Sequence, residues 1–272
     1  MATVARTPVH ATVSTWHWPE YLIEAALLGL FMISACSIAV LLEHPASPAY
    51  RALPDPFVRR LLAGVAMGST AIGLIYSPWG RRSGAHFNPA ATLAFFRLGR
   101  IAPRDSAAYA AAQFAGGLAG VLIAGSLLGP ALGHERVHYA VTRPGTQGIA
   151  AAWLAELAIT FLLFTVVLRV SSHPRYGRVT GLCVGALVAM YITLEAPISG
   201  MSMNPARTLA SALPARDWTA LWVYFTAPPI GMLAAAELHL GLNGRLFCAK
   251  LDHDPGAKCI HCEYRTLVTT RE

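Results

Sequence analysis

One twelve-residue pattern occurs twice in this chain, and it limits what the chain can become. Ser83-Gly84-Ala85-His86-Phe87-Asn88-Pro89-Ala90-Ala91-Thr92-Leu93-Ala94 aligns with Ser199-Gly200-Met201-Ser202-Met203-Asn204-Pro205-Ala206-Arg207-Thr208-Leu209-Ala210, with eight identical positions. Further upstream, Tyr21-Leu22-Ile23-Glu24 aligns with Trp153-Leu154-Ala155-Glu156. Asn is a preferred helix N-cap and Pro suits the first helical turn, so each Asn-Pro starts a short helix abruptly. The apolar stretches that follow, residues 88–98 and 204–213, are too short to cross about 30 Å of hydrocarbon.

Six longer apolar segments surround these two: residues 21–42, 58–77, 107–128, 149–170, 179–197 and 219–240. Each is long enough to span a bilayer as a helix. Charged residues are 13% of the chain and hydrophobic ones 55%, against about 25% charged in a soluble domain. A water-exposed shell cannot be built from that supply. Gly116, Gly117 and Gly120 in the third segment suit close helix packing. The net charge of +7 reflects residues in the gaps between segments, which set membrane orientation and do not make a nucleic-acid surface. Residues 1–19 are polar and do not read as a signal peptide.

Each half runs span with Glu, span, Asn-Pro-Ala half-helix, span. Three full spans per half is odd, so the second half enters the membrane from the opposite side. The reading is an all-α membrane protein: six transmembrane helices plus two re-entrant half-helices in an inverted repeat, with the site at the midplane. Fourteen of the 21 Lys and Arg fall on the side carrying both termini, among them Arg81, Arg82, Arg97, Arg100 and Arg104. That bias expects cytoplasmic termini and a multi-pass protein of the plasma or inner membrane.

The segments Ser-Gly-Ala-His-Phe-Asn-Pro-Ala and Ser-Gly-Met-Ser-Met-Asn-Pro-Ala-Arg resemble the two signature loops of the major intrinsic protein family, the aquaporins and their solute-conducting relatives. The resemblance covers about residues 20–241, with repeats at about 20–129 and 149–241. It leaves an N-terminal segment, 1–19, and a tail, 242–272, outside. It implies a passive channel in a lipid bilayer for water and small neutral solutes, excluding ions and protons, needing no cofactor and assembled as a homotetramer.

The motif residues Asn88, Pro89, Ala90, Asn204, Pro205 and Ala206 then line the pore. The half-helix N-termini bring positive dipole ends to the centre, which repels cations and disfavours a proton wire. Arg207 follows the second motif, where the first half has Ala91, and a charge at membrane depth is functional by default. In the family such an Arg forms a narrow filter with three other side chains. Counting along this chain places Ile192, Met201 and Met67 there, with Gly68 as the alternative to Met67. Strict water channels usually have His where Ile192 stands, so this set admits partly apolar neutral solutes. Glycerol-conducting relatives typically carry Asp where this chain has Thr208. Glu24 and Glu156 are expected to accept hydrogen bonds from the loops holding the half-helices, and His86 to pack by the inner loop or touch the pore.

The tail carries a separate pattern, Cys248-x4-His253-x5-Cys259-x2-Cys262. Three thiols and an imidazole are the donor set of a closed tetrahedral zinc site. His261 rivals His253, and a redox-active pair or free thiols are alternatives. Cys36 and Cys183 lie in apolar segments and read as buried hydrophobes. No nucleophile–base set or carboxylate pair marks an enzyme. The rival functions are a facilitator for urea, hydrogen peroxide, ammonia or a metalloid acid, and a metal-sensing membrane protein with a closed pore.

Overall fold

The computed structural model describes residues 16–244, 246, 248–253 and 259–269. Most of the expected N-terminal segment and the end of the tail lie outside the described residues. Every regular element among the described residues is a helix. Six long helices are α1 (Trp18–Glu43), α2 (Pro56–Tyr76), α4 (Pro103–Leu128), α5 (Ile149–Ser171), α6 (Thr180–Leu194) and α8 (Leu221–Gly241). All six lie in segments long and apolar enough to cross a membrane. Beside them lie two half-helices, α3 (Pro89–Arg97) and α7 (Pro205–Ala215), and a tail helix, α9 (Ile260–Thr269).

Local chemistry explains the boundaries. Pro stands in the first turn of α1, α2, α3, α4 and α7, where its missing N–H costs nothing. Asp55 caps α2 by accepting from the Phe57 N–H. The fifth span ends earlier than the apolar run: α6 stops at Leu194 and Ala196–Ser199 forms a separate turn. Pro197 has no N–H to continue the ladder, so the run breaks there.

The packing repeats the sequence symmetry. α1 lies along α4, α5 lies along α8, and α2 crosses to α6. Each half-helix rests on the last span of the other half, α7 on α4 and α3 on α8. Small residues let these backbones approach. A Cβ on Gly116 would sit 2.1 Å from the Ala25 carbonyl oxygen, and one on Gly120 would sit 2.3 Å from that of Gly29. Across α2 and α6, a Cβ on Gly68 would meet the Gly185 carbonyl oxygen at 2.4 Å. Hydrocarbon offers no hydrophobic drive between helices, so this close van der Waals fit is what holds spans together. Trp18 and the tail share one face, hereafter the terminal face, and the α1 end at Glu43 marks the opposite face.

Replacing Gly116 with Val is expected to destabilise the fold by about 1–3 kcal/mol, because backbone cannot yield to the added atoms. Gly73, whose Cβ would meet nothing within 4 Å, is the control. Thermal denaturation in detergent should show a lowered midpoint for Gly116→Val and none for Gly73→Ala. Equal midpoints would contradict the packing argument.

Candidate functional site

Two loops enter the bundle from opposite faces, and each is anchored by one buried carboxylate. Glu24 on α1 accepts from the Ser83 hydroxyl at 2.6 Å, the His86 N–H at 3.1 Å, the Phe87 N–H at 2.6 Å and the Gln113 amide at 2.8 Å. Glu156 on α5 accepts from the Ser199 hydroxyl at 2.8 Å and the N–H groups of Ser202 at 2.6 Å and Met203 at 2.7 Å. Both glutamates are fully buried, and every contact just named is a donor. A buried carboxylate is tolerated only when so satisfied.

The loops take a shape that regular structure forbids. Gly84 has φ 110° and Gly200 φ 80°, followed by left-handed Ala85, Phe87, Met201 and Met203. Left-handed backbone is open to Gly and strained for the others. It turns successive N–H groups toward one acceptor, and the glutamate is that acceptor. A tyrosine braces each loop: Tyr109 donates to the Ser83 carbonyl at 2.8 Å and Tyr224 to that of Ser199 at 2.5 Å.

The half-helix N-termini meet at a reciprocal clamp. The Asn88 Oδ1 caps α3 through the Ala90 N–H at 2.9 Å, and its Nδ2 donates to the Met203 carbonyl at 2.8 Å. The Asn204 Oδ1 caps α7 through Ala206 at 3.0 Å, and its Nδ2 donates to the Phe87 carbonyl at 2.8 Å. Each amide nitrogen has a second hydrogen, and both asparagines line one cavity of about 350 Å³. The lining reaches from Glu43 and Arg136 near the opposite face to Leu251 on the terminal face.

Met67, Ile192, Met201 and Arg207 all line this cavity, and Gly68 does not; Gly68 faces α6 instead. Arg207 donates to the Ala140 carbonyl at 2.8 Å. That carbonyl belongs to a left-handed run, His138, Tyr139 and Ala140. Asp217 secures the run by accepting from His138 at 3.1 Å and from Arg143. Thr208 bonds Thr142 at 3.1 Å and Ser202, and is buried away from the lining. His86 lines the cavity and also bridges out of it. Its Nε2 donates to the Ala249 carbonyl at 2.7 Å, and its Nδ1 meets the Thr92 hydroxyl at 3.1 Å.

The tail cluster forms on the terminal face. Cys248 and Cys259 have sulfurs 3.5 Å apart, Cys262 and Cys248 3.6 Å, and Cys262 lies 3.3 Å from His253 Nε2. All four ligand atoms lie within 4.8 Å of one another. His261 points elsewhere, onto the Ser83 carbonyl at 3.0 Å. Hydrogen bonding from Cys248 pulls the Cys259 and Cys262 thiols below the ordinary thiol range, while Cys248 is pushed up.

Sequence reasoning missed several partners. Ser83 and Ser199 stand in the aligned repeat. Tyr109 lies 21 residues after Asn88, and Tyr224 lies 20 after Asn204; extending the repeat past the half-helices would expose them. Gln113, Asp217 and Ala140 have no counterpart signal.

Six spans, crossed loops and clamped half-helices define an inverted-repeat membrane protein of the aquaporin type. The chain belongs to the major intrinsic protein family, whose model matches residues 12–239. It is 40% identical over 173 residues to Aquaporin NIP1-3 of Oryza sativa subsp. japonica, covering 63% of this chain and 58% of that protein. It is 31% identical over 218 residues to Probable aquaporin NIP7-1 of Arabidopsis thaliana, covering 79% of this chain and 74% of that protein. Against the rice protein, then, the match spans 58% of the relative's length. The fold matches the aquaglyceroporin from Plasmodium falciparum with a TM-score of 0.64 at 18% identity, over 82% of this chain and 95% of that one.

Asp217 gives a pH-dependent test. Burial pushes its carboxyl up, but hydrogen bonds from Thr219, Arg143 and His138 outweigh this and hold it well below the usual carboxylate range. A depressed folded-state value contributes stability that is complete above the unfolded value, about 4, and is lost as pH falls toward the folded value. Asp217→Asn should therefore lower the thermal midpoint at pH 7, corresponding to about 1–3 kcal/mol, and the gap to wild type should shrink below about pH 4. A gap that is absent at pH 7, or that widens in acid, would contradict this network.

Proposed function

We propose that this protein is a passive channel for water and small neutral solutes that excludes ions and protons. The observation that carries the reading is the reciprocal asparagine clamp. It sets two half-helix N-termini against each other beside one cavity that also holds Arg207. Positive dipole ends and amide donors meet whatever enters, so a cation is repelled and a water chain is interrupted. In this reading Asn88 and Asn204 are the central donors, with Pro89, Ala90, Pro205 and Ala206 shaping the turn. Arg207, Met67, Ile192 and Met201 form the filter, and Glu24, Glu156 and His86 hold the loops. Three of the four filter side chains are apolar. That favours passage of partly apolar neutral solutes beside water, over strict water selectivity.

Fourteen of 21 Lys and Arg on the terminal side support cytoplasmic termini, and the family resemblance supports a homotetramer. The channel itself uses no cofactor. In the tail, Cys248, His253, Cys259 and Cys262 hold zinc. With Zn–S near 2.3 Å, two sulfurs on a tetrahedral ion lie about 3.8 Å apart, close to the 3.5 and 3.6 Å seen. A disulfide needs about 2.05 Å, and a reducing cytoplasm favours metal over disulfide.

Stopped-flow shrinkage of proteoliposomes tests the channel. Water flux should exceed that of empty liposomes, with a low activation energy, and glycerol or urea should also enter. Ile192→His is expected to depress glycerol and urea entry more than water entry. Water flux equal to empty liposomes, from correctly folded protein in both its zinc-loaded and zinc-stripped forms, would sink the reading.

A further inference from the structure

The four tail ligands do more than cluster; they frame the residues that touch the first loop. Cys248 and His253 bracket residues 249–252, and every residue of that stretch bonds the short helix Pro78–Ser83 or the loop between it and Asn88. Ala249 accepts from His86 at 2.7 Å, Lys250 donates to the Arg81 carbonyl at 2.9 Å, Leu251 donates to the Gly84 carbonyl at 3.1 Å, and Asp252 pairs with Arg81 at 2.8 Å. Cys259 and Cys262 bracket Ile260 and His261, and His261 bonds the Ser83 carbonyl. The fit is close: a Cβ on Gly84 would stand 2.8 Å from the Ala249 carbonyl oxygen. Ala249, Lys250, Leu251 and His261 are all buried.

This framed stretch ends at the cavity. Leu251 is part of the cavity lining at the terminal face. His86, which grips Ala249, lines the same cavity two residues before Asn88. The His86 ring also stacks on His261, with centroids 5.7 Å apart. The tail therefore contributes an apolar side chain to the conduit and holds the ring beside its central donor.

We propose that the Cys248–His253–Cys259–Cys262 site is a regulatory zinc site, and that zinc-bound tail closes the conduit at the terminal face with Leu251. The inference rests on the channel and zinc readings above. An apolar side chain at a narrow mouth closes it by expelling water. Zinc fastens both ends of the 249–252 stretch, and so holds Leu251 in place. Without the ion, the same four groups are linked only through weak thiol hydrogen bonds, and the stretch is held by its bonds to residues 81–86 alone. A metal that binds the closed arrangement better than the open one shifts the equilibrium toward closure.

The test uses full-length protein in proteoliposomes, loaded with one equivalent of zinc chloride, then stripped with a membrane-permeant chelator. Zinc content and stopped-flow water permeability are read on the same samples. Stripping should raise permeability by about threefold or more, and zinc should restore the low value. Cys262→Ser should be permeable and indifferent to zinc. Leu251→Ala should be permeable while still binding one zinc per chain, which separates the plug from the metal site. One zinc per chain with permeability unchanged by stripping, and unchanged in Leu251→Ala, would overturn the coupling and leave both underlying readings standing. Failure to bind zinc would remove the metal reading and this inference with it. Flux no greater than empty liposomes in every state would remove the channel reading and this inference together.

Discussion

A buried carboxylate facing backbone N–H groups is the interaction on which the rest of this molecule depends. Irregular backbone inside a bilayer has no water to satisfy it and survives only where protein supplies partners. Glu24 and Glu156 supply them, one from each half. Their acceptance lets each loop adopt left-handed residues that would otherwise be strained. Those residues aim Asn88 and Asn204 across at the opposite loop. Remove the acceptor and three donors at Glu156, or four at Glu24, lose their partner, at about 1–3 kcal/mol for each left unsatisfied. The two anchors are coupled, because each asparagine is clamped to the loop that the other anchor shapes.

Much of this was legible from residues alone, because the signals are local. An Asn-Pro start, a ten-residue apolar run and a repeated Ser-Gly need no tertiary knowledge to read as a capped half-helix after a turn. The inverted topology followed from counting spans. What could not be read were partners far apart in sequence. Gln113 reaches Glu24 and Thr92 only because α4 lies along α1. The chain from Asp217 through His138 to Ala140 and Arg207 joins a loop after α7 to a loop before α5, and no spacing announces it. Met67 and Gly68 were one residue apart on α2. One faces the cavity and the other faces α6, so helix rotation decided between them. In the tail, His253 and His261 were equal as ligand types. The docking of His261 onto Ser83 removes it from the cluster.

The two ends of the cavity are built on different principles. At the opposite face a fixed guanidinium is held by a strained carbonyl, a rigid device suited to selection. At the terminal face an apolar residue, Leu251, sits on a tail framed by three cysteines and a histidine, which the proposed zinc site would turn into a device for control. The central clamp lies between them, joined to the terminal end through His86, which stands two residues before Asn88 and bonds Ala249.

The most direct measurement is of Glu156→Gln, taken through thermal denaturation and stopped-flow water permeability on one zinc-stripped preparation. The neutral amide keeps the size of the side chain but places an NH2 group among donors. The account requires a lower thermal midpoint and a loss of water permeability together, since the second loop and its asparagine would no longer be held in register. A variant with wild-type midpoint and wild-type permeability would contradict it, and the anchoring of the second half-helix would then have to lie elsewhere.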